Sequence, residues 1–409
     1  MAMEKYNKYD CVIIVLIASL AFGHFELFRA FHPIRILGLL LIPIYIHHGI
    51  LSYYRHFSNW MILFGVWAVY MFFSLLWTPD VYGGFVGTFV MFSMFLCITL
   101  LFFCVKRAEN PIHSLCRGWL LFALLTLPIA YWEIFTGNHL SSGSFNANDV
   151  INNHYRVFAA VTFRNLNSYV LMLCYSIPFL VMMFIDNSTK RIEKVFSLLT
   201  YFLVTIVLII NASRGGYVCL IISLLILFCY IYIKINVYLK ILITTAIVMV
   251  FIYFLDHLED INLFFQIYER FSSTSSAFED DNRIYLIIEG LKIFYRTCFL
   301  GGGIGSMTSL YEQYTDSNIL YAHNMFIELL IEYGLIIPIL LFYMIFKSIF
   351  RMRNTSNMVI RYLFLYSLCT FPFIIAVDDG YQTRSGIWIY LASIVSISSL
   401  CITRKSSLS

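Results

Sequence analysis

Two arginines and one histidine are the residues of this chain whose types and positions best suit chemistry. Arg214 closes an apolar run, Arg283 opens an amphipathic segment, and His323 precedes Asn324 and a further apolar run. Guanidinium groups bind phosphate oxygens through charge-assisted, often bidentate hydrogen bonds, and an imidazole exchanges a proton near neutral pH. At one face of a bilayer, these groups could bind a diphosphate and deprotonate an acceptor hydroxyl.

The composition of the chain indicates a membrane protein. Of its 409 residues, 60% are hydrophobic and 12% are charged, which excludes a soluble chain of this length. Apolar runs long enough to cross ~30 Å of hydrocarbon recur about twelve times. We therefore predict an all-α, polytopic membrane protein of about 12 transmembrane helices. The runs lie near 11–28, 34–53, 60–77, 84–105, 115–135, 166–185, 195–211, 216–233, 238–255, 323–346, 358–376 and 385–402.

Three parts follow from this pattern. Residues 1–255 carry the first nine predicted helices, 256–322 form one long periplasmic loop with short helices, and 323–409 carry the last three. Within the loop, apolar residues at helical spacing from about Asn282 predict a helix that lies on the membrane surface or packs over the span openings. The stretch Gly301-Gly302-Gly303-Ile304-Gly305 predicts a tight turn or a close approach to a ligand.

The distribution of basic residues predicts the orientation. Most of the 27 Lys and Arg residues lie in connections on the same side as the amino terminus, so the positive-inside rule places both termini in the cytoplasm. The Arg214 turn, the long loop and His323 then face the opposite side. The ten cysteines fall almost entirely within predicted spans, which favours apolar packing over a disulfide framework or a metal site.

Each candidate also has a simpler interpretation. Arg214 lies between Ser213 and Gly215, whose neighbouring amides could point at an anion, but it could equally be a turn arginine that reaches water. Arg283 could form a surface salt bridge with the acidic run before it, and His323 could be a hydrogen-bonded structural histidine. We also mark three carboxylates near predicted span ends as reserve candidates for a base or for sugar contacts, with helix-end charges as the alternative: Glu133, Asp378 and Asp379.

The order of these motifs resembles the O-antigen ligase and O-antigen polymerase superfamily. The resemblance rests on Ser213-Arg214-Gly215, on Arg283 followed by the Gly301 to Gly305 stretch, and on Ala322-His323-Asn324 with Gly334 after nine intervening residues. Weaker similarities precede them at Trp77-Thr78-Pro79-Asp80, Trp132 to Gly137 and Phe163 to Asn167. Ile337 departs from the ligase pattern, which prefers a small or hydroxyl residue there.

The resemblance implies a metal-independent, inverting membrane glycosyltransferase without a cofactor, in the bacterial inner membrane. Its donor would be a polyprenyl (undecaprenyl) diphosphate-linked oligosaccharide at the periplasmic face, and its acceptor a glycan lipid. Arg214, Arg283 and His323 would be the catalytic residues, with substrate contacts from Ser213, Gly215, Gly303, Gly305, Asn324, Glu133 and Asp378. Further partners would be membrane lipids and a chain-length regulator or flippase, and no nucleic acid.

Three functions remain open on the residues alone. We favour a polymerase of O-antigen or capsular polysaccharide over a ligase that joins the glycan to the lipid A core, because of Ile337 and the modest pI near 8.4. A flippase or another transporter is the alternative from a different class. Transporters usually carry ionisable residues at the bilayer midplane and have repeated halves, whereas here the notable charges lie at one rim.

Overall fold

The computed structural model describes residues 6–23, 32–40, 57–140, 158–163, 166–211, 213–234, 236–238, 249, 274–315, 322, 324–377, 380–382 and 384–406. Every regular element in these ranges is helical, as the apolar runs predict. The elements in chain order are α1 (Lys8–Ala18), a 3-10 turn (Ser19–Phe22), α2 (Pro33–Leu40), α3 (Ser58–Ser74), α4 (Val81–Arg107), α5 (Pro111–Thr136), α6 (Leu166–Ile185), α7 (Arg191–Asn211), α8 (Arg214–Lys234), α9 (Thr274–Arg296), α10 (Met307–Tyr314), α11 (Met325–Tyr333), α12 (Ile336–Arg351), α13 (Met358–Val377) and α14 (Ser385–Ser406).

Six helices in the described ranges are long and apolar enough to cross a membrane: α4, α5, α6, α7, α8 and α13. Shorter apolar stretches lie within α3 and α14. Helices suit this setting because each backbone N–H bonds within its own segment and needs no water. The count of about twelve stays a prediction, since the runs near 34–53 and 238–255 lie mostly outside the described residues.

Most of the helices form one bundle around α6. Leu173, Ile177 and Leu180 of α6 have no exposed surface, whereas Ile221 and Leu225 of α8 are each more than half exposed. An apolar side chain that faces outward on a span of this kind is suited to contact lipid. The helices at the edge of the bundle therefore present the surface that a bilayer would cover.

At the end of the bundle that carries the amino terminus, one buried carboxylate organises a connection. Asp10 has no exposed surface and accepts hydrogen bonds from the backbone N–H of Glu109 (3.1 Å) and of Asn110 (3.1 Å) and from Ser114 Oγ (2.6 Å). Asp10 also closes a capping box with Asn7 at the start of α1. The first helix is thereby joined to the turn between α4 and α5.

A second, smaller core lies at the opposite end of the bundle, which we call the far end. Helices α9, α10 and α11 form this layer, named here the cap layer, and they pack Leu286, Ile293, Leu310 and Ile331 together. Tyr311 Oη donates to the Leu286 carbonyl at 2.8 Å. The cap layer lies within the predicted long loop and the start of the predicted span 323–346, and α9 begins at Thr274, before the predicted start near 282.

The predicted span 323–346 is interrupted in the structure. Helix α11 ends at Tyr333 and α12 begins at Ile336, with Gly334 between them at a φ of 67°. A side chain on Gly334 would collide with the Phe299 carbonyl, which accepts a hydrogen bond from Leu335 N at 3.1 Å. The prediction of one uninterrupted span was wrong because periodicity does not show this approach of the 299–301 backbone. Consequently α11 is a nine-residue helix of the cap layer.

We predict that Asp10→Ala lowers the free energy of unfolding by about 3 kcal/mol, since four donors then lose their acceptor, among them the buried Ser114 hydroxyl. The measurement is the thermal unfolding midpoint of the purified protein in detergent. Glu109→Ala is the matched control because Glu109 is an exposed carboxylate in the same connection. Equal midpoints for Asp10→Ala and the control would contradict this role for Asp10.

Candidate functional site

The turn that carries Arg214 is held by polar side chains of neighbouring segments. Asn211, at the end of α7, accepts from Ala159 N at 2.7 Å and donates to the Ala159 carbonyl at 3.0 Å. Ser213 is buried, and its hydroxyl donates to Asn167 Oδ1 at 3.4 Å. Arg214 then starts α8 and is half buried. Arg214 therefore begins α8 directly after a buried serine that is held by a hydrogen bond.

The start of α8 is a suitable place for an anion. The first N–H groups of a helix have no partner within the helix, and the macrodipole adds partial positive charge there. At this position Arg214 contributes a full positive charge next to Gly215. The following residue, Gly216, has a packing reason to be glycine, since a Cβ there would lie 2.8 Å from Val170 Cγ1 of α6.

Glu133 has a different environment from the one that the sequence suggested. It has no exposed surface and accepts hydrogen bonds from the backbone N–H of Ala160 (2.7 Å), Val161 (2.8 Å) and Leu140 (3.3 Å). These bonds connect the end of α5 to the segment 158–163. The structure thus assigns Glu133 to holding this segment, and a sugar contact by Glu133 stays a prediction.

The Gly301 to Gly305 turn packs between the α3–α4 connection and the end of α11. Trp77 Nε1 donates to the Gly301 carbonyl at 3.2 Å, and Thr78 Oγ1 donates to the Ile304 carbonyl at 3.1 Å. The weaker sequence similarity at Trp77-Thr78-Pro79-Asp80 therefore lies beside the glycine stretch in space. A tight turn was one of the two interpretations of this stretch, and the structure confirms it.

Two glycines of this turn have backbone reasons for their identity. Gly303 and Gly305 have φ values of 92° and 74°, a region that L side chains rarely adopt. A Cβ on Gly303 would lie 2.9 Å from the Ser74 carbonyl oxygen, and one on Gly305 would collide with the Gly83 backbone. Close approach to protein therefore explains both glycines, and their contact with substrate stays a prediction.

Asn324 is the N-cap of α11. Its side-chain oxygen accepts from Phe326 N at 3.1 Å and from Ile327 N at 3.2 Å. The preceding residue, His323, lies outside the described residues. The cap fixes where α11 begins. Contact of Asn324 with substrate stays a prediction.

The remaining predicted site residues are described in part or not at all. Arg283 lies within α9, but its side chain is outside the described part of the structure. Asp378 and Asp379 lie in the gap between α13 and the segment 380–382. The relative positions of the Arg214, Arg283 and His323 side chains therefore stay a prediction.

The sequence reasoning missed two glutamates of α11. Glu328 has no exposed surface and accepts from Gly380 N at 2.8 Å, while Glu332 is 2% exposed and accepts from Gln382 Nε2 at 2.5 Å and from Tyr381 Oη. The available signal was a pair of acidic residues four positions apart in an apolar helix, because such residues need buried partners. Both carboxyl groups contact the segment that follows α13.

The electrostatics of Glu332 follow from this burial. Burial raises the pKa of Glu332 to about 7. The rise is partly offset by hydrogen bonds that lower the pKa, from Tyr381, Gln382 and the backbone of Gly305 and Met307. The neighbouring segment also contacts a buried cation, since Arg35 of α2 donates to the Gln382 carbonyl at 3.2 Å. The far end thus holds a fixed charge and a titratable carboxyl in one network.

A cavity opens beside this network. Its wall includes Arg384 and Ser385 at the start of α14, Ser168 and Tyr175 of α6, and Gly23. Phe163 and Ser168, which flank the segment next to the Arg214 turn, also line the cavity. The cavity therefore lies at the same end of the bundle as the Arg214 turn.

We predict that Glu133→Gln lowers the free energy of unfolding by about 1–3 kcal/mol, because an amide replaces one acceptor oxygen with a donor that faces backbone N–H groups. Thermal unfolding in detergent measures this loss, with the exposed Glu312→Gln of α10 as control. A Glu133→Gln protein with the wild-type midpoint would contradict the structural role and favour the sugar contact.

Comparison with known proteins gives one family. Residues 199–344 match the family model described as O-antigen ligase. The matched stretch contains the Arg214 turn, Arg283, the Gly301 to Gly305 turn and His323-Asn324. The curated proteins contain no match to the chain.

Proposed function

Because this chain belongs to the O-antigen ligase and polymerase superfamily, we propose that it is a glycosyltransferase that transfers glycan from a polyprenyl diphosphate donor at the far end of the bundle. The observation that carries the proposal is the position of Arg214. It starts a 21-residue helix within the family match, on a turn held by Asn211 and Ser213. A fixed cation at a helix N-terminus is suited to bind a diphosphate.

In the proposed reaction, an acceptor hydroxyl attacks the anomeric carbon of the donor glycan. A new glycosidic C–O bond forms while the bond from that carbon to the diphosphate oxygen breaks, so the anomeric centre inverts. Arg214 and Arg283 stabilise the negative charge that develops on the departing diphosphate. His323 takes the hydroxyl proton. The chemistry assigned to these residues needs no cofactor.

The acceptor distinguishes the two members of the superfamily. We favour a polymerase, in which the acceptor is another lipid-linked repeat unit, because Ile337 departs from the ligase pattern. In the structure Ile337 is 1% exposed in the first turn of α12, so its size is part of the core packing. The description of the matched family favours the second candidate, a ligase that uses a lipid A core acceptor.

We predict that Arg214→Ala, Arg283→Ala and His323→Ala each reduce glycan transfer by about a hundredfold or more, since each removes a group that acts on the transition state. The measurement uses cells that lack this chain, complemented with each variant, and compares surface and lipid-linked glycans on a gel. Lys292→Ala is the matched control because Lys292 is an exposed cation on the same helix as Arg283 and pairs with Glu289 at 2.6 Å.

The glycan pattern separates the candidates. Single repeat units on the surface lipid in cells that lack the chain support a polymerase, whereas long chains left on the polyprenyl carrier support a ligase. Wild-type glycans with all three alanine variants would overturn the proposed site. Lipid-linked glycan confined to the cytoplasmic leaflet in those cells would overturn the transferase in favour of a flippase.

A further inference from the structure

Two segments next to predicted site residues are joined by one helix of the cap layer. Helix α11 begins at Met325, two residues after His323, and the segment 380–384 precedes α14. Glu328 and Glu332 lie one turn apart on α11, so they share a face of the helix. Through this face α11 contacts Gly380, Tyr381 and Gln382.

The Glu332 carboxyl also contacts the glycine turn. The backbone N–H groups of Gly305 and Met307 both hydrogen-bond to it, and Met307 is the first residue of α10. The main chain adds a further bond, since Gly303 N donates to the Glu332 carbonyl at 3.0 Å. One side chain therefore connects α11, the glycine turn, the start of α10 and the segment 380–384.

A rigid helix transmits the placement of this carboxyl to the start of α11. Seven residues separate Glu332 from Met325, the first residue of α11, which corresponds to about 10 Å at the helical rise of about 1.5 Å per residue. The Asn324 cap and the buried packing of Met325 and Leu329 keep the helix intact along this length. Movement of the Glu332 end would therefore move the start of α11.

We propose that Glu332 is a positioning residue for glycan transfer, whose carboxylate fixes the helix that follows His323 against the segment that carries Arg384. This inference rests on the proposed function, and Glu332 itself does not contact substrate. Arg384 is the last residue of that segment and lines the far-end cavity. The relative placement of a proton acceptor and a cation is a quantity on which transfer rates depend steeply.

The groups around Glu332 favour its charged form for this role. Tyr381 Oη, Gln382 Nε2, Gly305 N and Met307 N are all donors, and a carboxylate is an acceptor only. Among the described residues, the other titratable or charged groups near Glu332 include Glu328 one turn away on α11, Tyr70 of α3 and Tyr333 of α11. Arg35 is reached through the Gln382 carbonyl. A proton on the carboxyl would displace one donor. Because burial raises the pKa of Glu332 to about 7, the carboxyl takes up this proton as the pH falls through that value.

The test uses purified full-length protein in lipid nanodiscs. The donor is the lipid-linked glycan extracted from cells that lack this chain, and initial rates are measured between about pH 5.5 and about pH 8.5. For the wild type we expect kcat to fall on the acid side of about pH 7. For Glu332→Gln we expect kcat to be at least about tenfold lower at pH ~8, with KM within about twofold. We also expect the acid limb to move to lower pH, because only the protonation of the proposed base, His323, then limits the rate.

Tyr381→Phe provides a second variant in which the carboxylate remains. It removes one donor but keeps the ring that packs against Tyr333 at 5.9 Å. Because that donor stabilises the charged carboxylate, its loss is expected to move the acid limb to higher pH. Glu312→Gln, an exposed carboxyl of α10, is the control that should keep the wild-type rate and profile.

The outcomes separate this inference from the proposed function. Wild-type kcat and an unchanged acid limb in Glu332→Gln overturn the positioning role. If Glu332→Gln does not fold, an unchanged profile in Tyr381→Phe overturns it. Transfer that is lost in Arg214→Ala but not in either of these variants leaves the proposed function intact, whereas no transfer by the wild type overturns both.

Discussion

The buried carboxyl of Glu332 is the interaction on which the cap layer most depends. It accepts from donors of two segments that are distant from each other in sequence, residues 305–307 and 381–382, and the glycine turn also bonds to α11 through Gly303 N and the Glu332 carbonyl. A carboxylate removed from water is costly unless several donors satisfy it. The glycine turn, the start of α10 and the segment 380–384 provide those donors. The cap layer is therefore attached to the bundle through a polar contact that has few alternative geometries.

The same physical solution recurs at other connections. Asp10 joins the first helix to the α4–α5 turn, Glu133 holds the segment 158–163, and Asn211 holds Ala159 beside the Arg214 turn. In each case one buried side chain satisfies backbone groups of an irregular segment. An irregular backbone at membrane depth is tolerated where protein supplies its hydrogen bonds. Fixed loops are what a site needs when its reacting groups lie between helices, because positioning contributes much of the rate.

The helices could be predicted from sequence, but the role of the polar residues could not. Long apolar runs such as those of α4 and α6 predict helices directly, because a helix satisfies its backbone hydrogen bonds within the hydrocarbon region of a membrane. Periodicity gave no sign that Gly334 interrupts a span, because the cause is the distant Phe299 carbonyl. The hydrogen bonds of Glu133 could not be predicted for the same reason, because its backbone donors lie up to 28 residues away. Arg214 could be selected as a candidate from the sequence because an arginine beside glycines between two apolar spans is unusual.

We propose that a donor diphosphate binds at the far end between the start of α8 and the cap layer. The most direct measurement is a cryo-EM structure of the protein in lipid nanodiscs with undecaprenyl diphosphate. We expect density for the diphosphate within about 3 Å of the Arg214 and Arg283 guanidinium groups. Density instead at the amino-terminal end, against the basic residues Lys347 and Arg351 that line a cavity there, would contradict it.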